Sequence, residues 1–141
     1  MLRSLMFSAL AVMAASSAMA GETPAPAGAK VYFLNLKDGA TVSSPVLVQF
    51  GLAGMGVAPA GIEKANTGHH HLLIDVAAPK GEELAYPLPA DDHHKHFGGG
   101  QTETSITLAK GKHTLQLVLG DQNHIPHNPP VMSQPITITV E

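Results

Sequence analysis

The chain has 141 residues, with eight Lys+Arg against eleven Asp+Glu, a net charge of −3, nine histidines and no cysteine. That balance lacks the basic surplus needed to neutralise nucleic-acid phosphates. The missing cysteine removes disulfides, thiolate nucleophiles and Cys-based zinc sites, although one domain of this length builds a core without cross-links.

Residues 1–20, "MLRSLMFSALAVMAASSAMA", place Arg3 ahead of an apolar run that closes on Ala18-Met19-Ala20. This is the pattern of a signal peptide cleaved after Ala20. Its apolar run is shorter than the ~20 residues of a membrane span. The mature chain is therefore expected to be periplasmic or secreted, without a transmembrane segment. Residues 21–30, beginning "GETPAPAGA", read as a flexible Pro/Ala/Gly leader. Residues 31–141 read as a single domain.

Within that domain, short β-type runs alternate with Gly, Pro, Asp and Asn punctuation. They fall at 31–36, 46–52, 69–76, 104–109, 113–119 and 135–140, and the segments 53–67, 78–101 and 120–134 read as loops. No stretch keeps apolar spacing near 3.6 residues. The fold class expected is all-β, an antiparallel immunoglobulin-like β-sandwich. "ITLAKGKHTLQLVL" reads as a hairpin bending at Ala109-Lys110-Gly111-Lys112. Leu115, Leu117 and Leu119 should face the core, as should Ile136, Ile138 and Val140 on the last strand.

The histidines are the abnormal feature. In "GHHHLLID" (68–75), strand alternation puts His70 on one face with Leu72 and Ile74, and His69 and His71 on the other with Leu73 and Asp75. The His70 face is the more apolar and should point inward, leaving His70 at the inner rim in need of a hydrogen-bond partner. His69 and His71 then form an outward pair with Cα atoms about 6.6–7 Å apart, a separation from which two imidazoles can converge on one metal ion. Two loops offer further ligands. "DDHHKHFGGGQTE" (91–103) carries His93, His94 and His96, and "GDQNHIPHNPP" (120–130) carries His124 and His127.

The ligand set expected is His69, His71, His96 and His124, with His70 and His127 as second choices. Asp75 and Asp121 are the candidate acceptors for ring N–H groups behind the ligands. His113 lies in phase with the inner leucines and reads as a structural residue at the core rim, and His93 and His94 as solvated loop residues. Nitrogen donors without sulfur suit copper or zinc. The competing reading is a hydrogen-bond network that fixes long loops. An enzyme is disfavoured, because neither G-x-S-x-G nor H-E-x-x-H occurs. The H-x-H strand is shared with copper–zinc superoxide dismutase, but that enzyme's disulfide is absent and its other ligand spacings are not matched.

"LKDGATVSSPVLVQFGLAGMGVAPAG", "TGHHHLLID", "HFGGGQTETSITLAKGKHTLQLVLGDQNHIPH" and "SQPITITV" occur in that order. Together they resemble a small exported bacterial family known as domain of unknown function 4399, over roughly residues 31–141. The resemblance implies a compact immunoglobulin-like sandwich and no established activity. Function therefore rests on the residues. One reading is a periplasmic module that binds copper or zinc for sequestration or delivery. The other is a non-catalytic envelope interaction domain of unknown ligand, its histidines bracing loops. The partners implied are a metal ion or an envelope protein, and the domain is read as a monomer.

Overall fold

A computed structural model describes residues 21–141; the expected signal peptide lies outside the described residues. Nine strands carry the fold, with one 3₁₀ turn at Gly81–Ala85 and no α-helix among the described residues. The strands are β1 (Lys30–Phe33), β2 (Thr41–Val42), β3 (Val46–Ala53), β4 (Gly56–Val57), β5 (Thr67–Ile74), β6 (His94–His96), β7 (Glu103–Ile106), β8 (Gly111–Gly120) and β9 (Ile136–Val140). Among the described residues no helix is long and apolar enough to cross a membrane.

Two sheets face each other. One has the order β1-β3-β7. The other runs β2-β9-β8-β5, with β4 and β6 both paired to β5. Period-two alternation explains the layer between them: Val46, Val48 and Phe50 of β3 pack against Leu72 and Ile74 of β5 and Leu115, Leu117 and Leu119 of β8. Leu72, Leu115, Leu117 and Leu119 have no exposed surface. Pairing is antiparallel except for two short parallel pairs, β2 with β9 and β4 with β5.

Four expectations need correction. The 104–119 hairpin does not form: β7 pairs with β3 in one sheet, whereas β8 pairs with β5 and β9 in the other. Two alternating runs joined at a glycine look the same whether the chain folds back within a sheet or crosses between sheets. Here the Leu108 N–H donates to Ser44 Oγ, and the crossing is complete by Gly111, at φ 123°. Second, two stretches read as loops carry strands: 53–67 holds β4, paired parallel to the start of β5, and 78–101 holds β6, whose "HKH" has no apolar alternation to announce it. Strand β6 lies antiparallel to β5 with His71 opposite His96.

Third, the leader is no free tether. The Ala25 N–H donates to the Asn128 carbonyl and the Asn128 N–H to the Thr23 carbonyl, and Gly21 is buried. Fourth, the outer face of β5 is not open to water. Leu73, Leu88 and Val118 form a second small apolar cluster there, under chain segments that return across the sheet.

Candidate metal centre

The nine histidines separate into three groups by what their rings touch. Four hold loops. His93 donates from Nδ1 to the Ile74 carbonyl at 2.8 Å, and His94 Nδ1 lies 2.8 Å from Asp91 Oδ1. His113 Nδ1 meets Asp75 Oδ2 at 2.7 Å and its Nε2 meets the Ala109 carbonyl at 2.8 Å. Both nitrogens face acceptors, so both carry protons in this arrangement. The hydrogen bond it donates to Asp75 is the main reason His113 is held above its ordinary pKa. His127, in the loop after β8 and with no exposed surface, donates from Nε2 to the carbonyl of Thr67 at the start of β5, at 3.0 Å.

The second group is His70 alone. It lies in the main core, its ring centroid 5.1 Å from that of Phe50, with no exposed surface. The partner expected at the inner rim is absent: neither ring nitrogen has a hydrogen-bond partner among the described residues. Burial lowers its pKa to about 4. The ring is neutral near pH 7 and behaves as an imperfect apolar side chain.

The third group is His69, His71, His96 and His124. Strand β5 places His69 and His71 two residues apart on one face, with ring centroids 4.5 Å apart. Pairing of β6 with β5 brings the His96 ring to 4.4 Å from that of His71. The loop after β8 returns His124, which stacks on His96 at 4.7 Å. His124 Nδ1 lies 3.0 Å from His69 Nε2 and 3.3 Å from His71 Nε2.

One imidazole nitrogen cannot satisfy both neighbours. It holds either a single proton or a single lone pair, so a hydrogen bond to His69 leaves the contact with His71 uncompensated. A cation at the centre removes the conflict, because all three nitrogens then present lone pairs to it. Tetrahedral zinc with Zn–N of 2.0–2.1 Å sets ligand nitrogens about 3.3–3.4 Å apart. The two separations at His124 Nδ1 match to within a few tenths of an ångström. The third pair, His69 with His71, also has ligand atoms within 4.8 Å.

The surroundings favour neutral rings. Burial first, then the imidazoles of His124 and His96, lower His69 to about 4. Burial and the rings of His69, His96 and His124 lower His71 to about 2. Burial and His96 lower His124. A metal binding near neutral pH therefore releases no net proton from these rings; the proton of the His69–His124 hydrogen bond shifts to the other nitrogen of its own ring. Asp121 opposes the trend at His69 and His124, so one carboxylate charge is felt in the site.

His96 differs from the other three. A carbonyl oxygen only accepts, so the 2.6 Å contact of Nε2 with the Pro89 carbonyl fixes the proton on Nε2 and the lone pair on Nδ1. This is the hydrogen-bonding arrangement usual behind a ligating histidine. His96 packs on the triad's rings without belonging to the set whose ligand atoms lie within 4.8 Å of one another.

Several sequence-level assignments change. His69 and His71, expected to point outward, are 0% and 1% exposed. His70 and His127, the second-choice ligands, turn to the core and to the backbone instead. Asp75, expected behind the ligands, spends its carboxylate on His113 and the Thr114 N–H. Asp121 accepts from no ring either. Its Oδ1 takes the N–H groups of Asn123 and Ile125, which shapes the turn that carries His124.

One residue went unnoticed in the sequence. Gly120 stands opposite His69 in the ladder, and a Cβ there would collide with the His71 ring. A glycine ending an otherwise apolar strand is the available signal for such close approach.

The chain belongs to the family described as domain of unknown function (DUF4399), whose model matches residues 48–141. That span holds all four clustered histidines. No curated protein and no solved structure matches the chain.

Proposed function

We propose that this DUF4399 protein binds a transition metal, copper or zinc, at the buried imidazole cluster of its outer sheet face. His69 Nε2, His71 Nε2 and His124 Nδ1 are the ligands, and His96 is the flanking imidazole available as a fourth. The observation that carries the reading is the double contact of His124 Nδ1, at 3.0 and 3.3 Å from two other ring nitrogens. The Nδ1 atoms of His69 and His71 are buried without partners. With Nε2 on the metal, Nδ1 carries the ring proton, which sets the tautomer of both rings. An exported module with such a site serves sequestration or delivery of the metal in the bacterial envelope. Titration calorimetry of residues 21–141 with Zn(II) and Cu(II), with metal content after dialysis, tests this. The expected result is one equivalent bound. Absence of binding beyond that of a His-rich peptide of the same composition removes the proposal.

A second reading is a non-catalytic envelope interaction domain. The four loop-holding histidines favour it, since each contacts a carbonyl or a carboxylate as a structural brace would. That account covers His93, His94, His113 and His127, but leaves the double contact at His124 without a reason.

A further inference from the structure

His124 owes its position to a segment almost a hundred residues away. Its backbone has φ 65°, in the left-handed region. Histidine visits that region more readily than most residues but does not prefer it. The surrounding turn must hold it there, and Asp121 does so. Oδ1 accepts from the Asn123 and Ile125 N–H groups at 2.8 and 3.0 Å. The His124 N–H donates to the Asp121 carbonyl at 3.0 Å, and the Asp121 N–H to the Ile125 carbonyl at 2.9 Å.

Asp121 is only 3% exposed, so its second oxygen needs a donor too. That donor is Thr23 Oγ1, at 2.6 Å. Thr23 is held in turn by the backbone bonds of residues 23–25 to Asn128, and Gly21 packs on Pro126 so closely that a Cβ would collide with its carbonyl. The N-terminal segment thus touches the His124-bearing loop on both sides of His124, at Asp121 and at Pro126 and Asn128.

We propose that residues 21–25 are a strap that completes the metal site, with Thr23 as a positioning residue acting on His124 through Asp121. The inference rests on the metal reading above. With the strap docked, Asp121 has every oxygen bonded and the turn is fixed. Without the Thr23 hydroxyl a buried carboxylate oxygen loses its donor, and the turn relaxes to recruit another. His124 Nδ1 then leaves the point shared with His69 and His71, while the sheets are unaffected. Any tolerance of the metal site to N-terminal change stops at Gly21–Ala25.

The test compares wild type, Thr23→Val and Thr23→Ser, each as residues 21–141. Zn(II) affinity is measured by competition with a chromophoric chelator, and the thermal midpoint is measured without metal. Thr23→Val is expected to weaken Zn(II) binding about tenfold or more, the scale of a hydrogen bond to a charged group. Thr23→Ser should restore affinity, and the metal-free midpoint should move little in either. Wild-type affinity in Thr23→Val overturns the strap while leaving the metal site standing. Equal loss of affinity and metal-free stability in Thr23→Val and Thr23→Ser also overturns it, since a role in packing alone is then enough. If wild type itself binds no Zn(II) or Cu(II), the metal reading fails and the strap proposal falls with it.

Discussion

His124 Nδ1 lies 3.0 Å from His69 Nε2, although 55 residues separate them in sequence. With His71 Nε2 at 3.3 Å from the same atom, three imidazole nitrogens converge on one point, where the proposed metal would sit. Removing any one ring should therefore act on the metal far more than on the fold. His69→Ala, His71→Ala and His124→Ala are each expected to lower Zn(II) affinity by more than the roughly 10–100-fold lost with a supporting group. His113→Ala should leave affinity unchanged, because its ring engages Asp75 and Ala109 instead. Equal losses in all four variants would dissolve the site.

Gly120→Ala introduces a methyl group where the His71 ring lies. At this position β8 is held on one side by its pairing with His69 of β5 and on the other by a bridge from Gly120 to Pro126, so it has little room to retreat. The ring must move, so metal binding should be lost, and overpacking should cost about 1–3 kcal/mol in urea unfolding. A Gly120→Ala protein with wild-type affinity would show that the close approach is unimportant.

His70→Leu should stabilise the protein. Both ring nitrogens are buried without partners beside Phe50. Replacing an unsatisfied polar group by an apolar one of similar size removes a desolvation cost of about 1–3 kcal/mol. The unfolding midpoint is expected to rise with Zn(II) affinity preserved. A fall in both would return His70 to the ligand set.

Stability of the metal-free protein should decline as pH falls below 6.5. The sign follows from proton uptake: an unfolded histidine titrates near 6.5, whereas folded His69 and His70 titrate at about 4 and His71 at about 2. Between these values the unfolded chain binds protons that the folded chain refuses, so stability rises with pH across the window. Each ring adds a slope of at most about 1.4 kcal/mol per pH unit. Urea midpoints at pH 7, 6 and 5 provide the measurement. A flat profile would mean the rings are hydrated in solution.

The His113–Asp75 pair runs the opposite way. A raised His113 contributes stability that is present below the unfolded value and lost as pH rises through the folded one. Asp75 is partly buried, which raises its pKa, but the hydrogen bonds from His113 and the Thr114 N–H outweigh that and lower it. Both groups are partly solvated, so the pair is worth no more than about 1 kcal/mol. Asp75→Asn should reduce stability more at pH 6 than at pH 8. The same loss at both pH values would show the pair to be uncharged.

Most strands were legible because a strand reports its own period. Val46, Val48 and Phe50, then Leu115, Leu117 and Leu119, alternate in the sequence and share a buried face in the structure. The separation of His70 from His69 and His71 follows from the same arithmetic. Strand β6 was illegible because "HKH" alternates nothing apolar; its pairing with β5 makes it a strand. The hairpin misreading arose because local alternation says where a strand lies, not which sheet receives it.

What the sequence determined by itself is the all-β architecture and the shared face of His69 and His71, both consequences of a two-residue repeat. Tertiary structure alone decided that this face is buried, that His124 reaches it, and that Thr23 holds Asp121 across 98 residues. Such contacts leave no local signal. They depend on where loops close, and loop closure is fixed by hydrogen bonds and packing between segments that carry no shared periodicity.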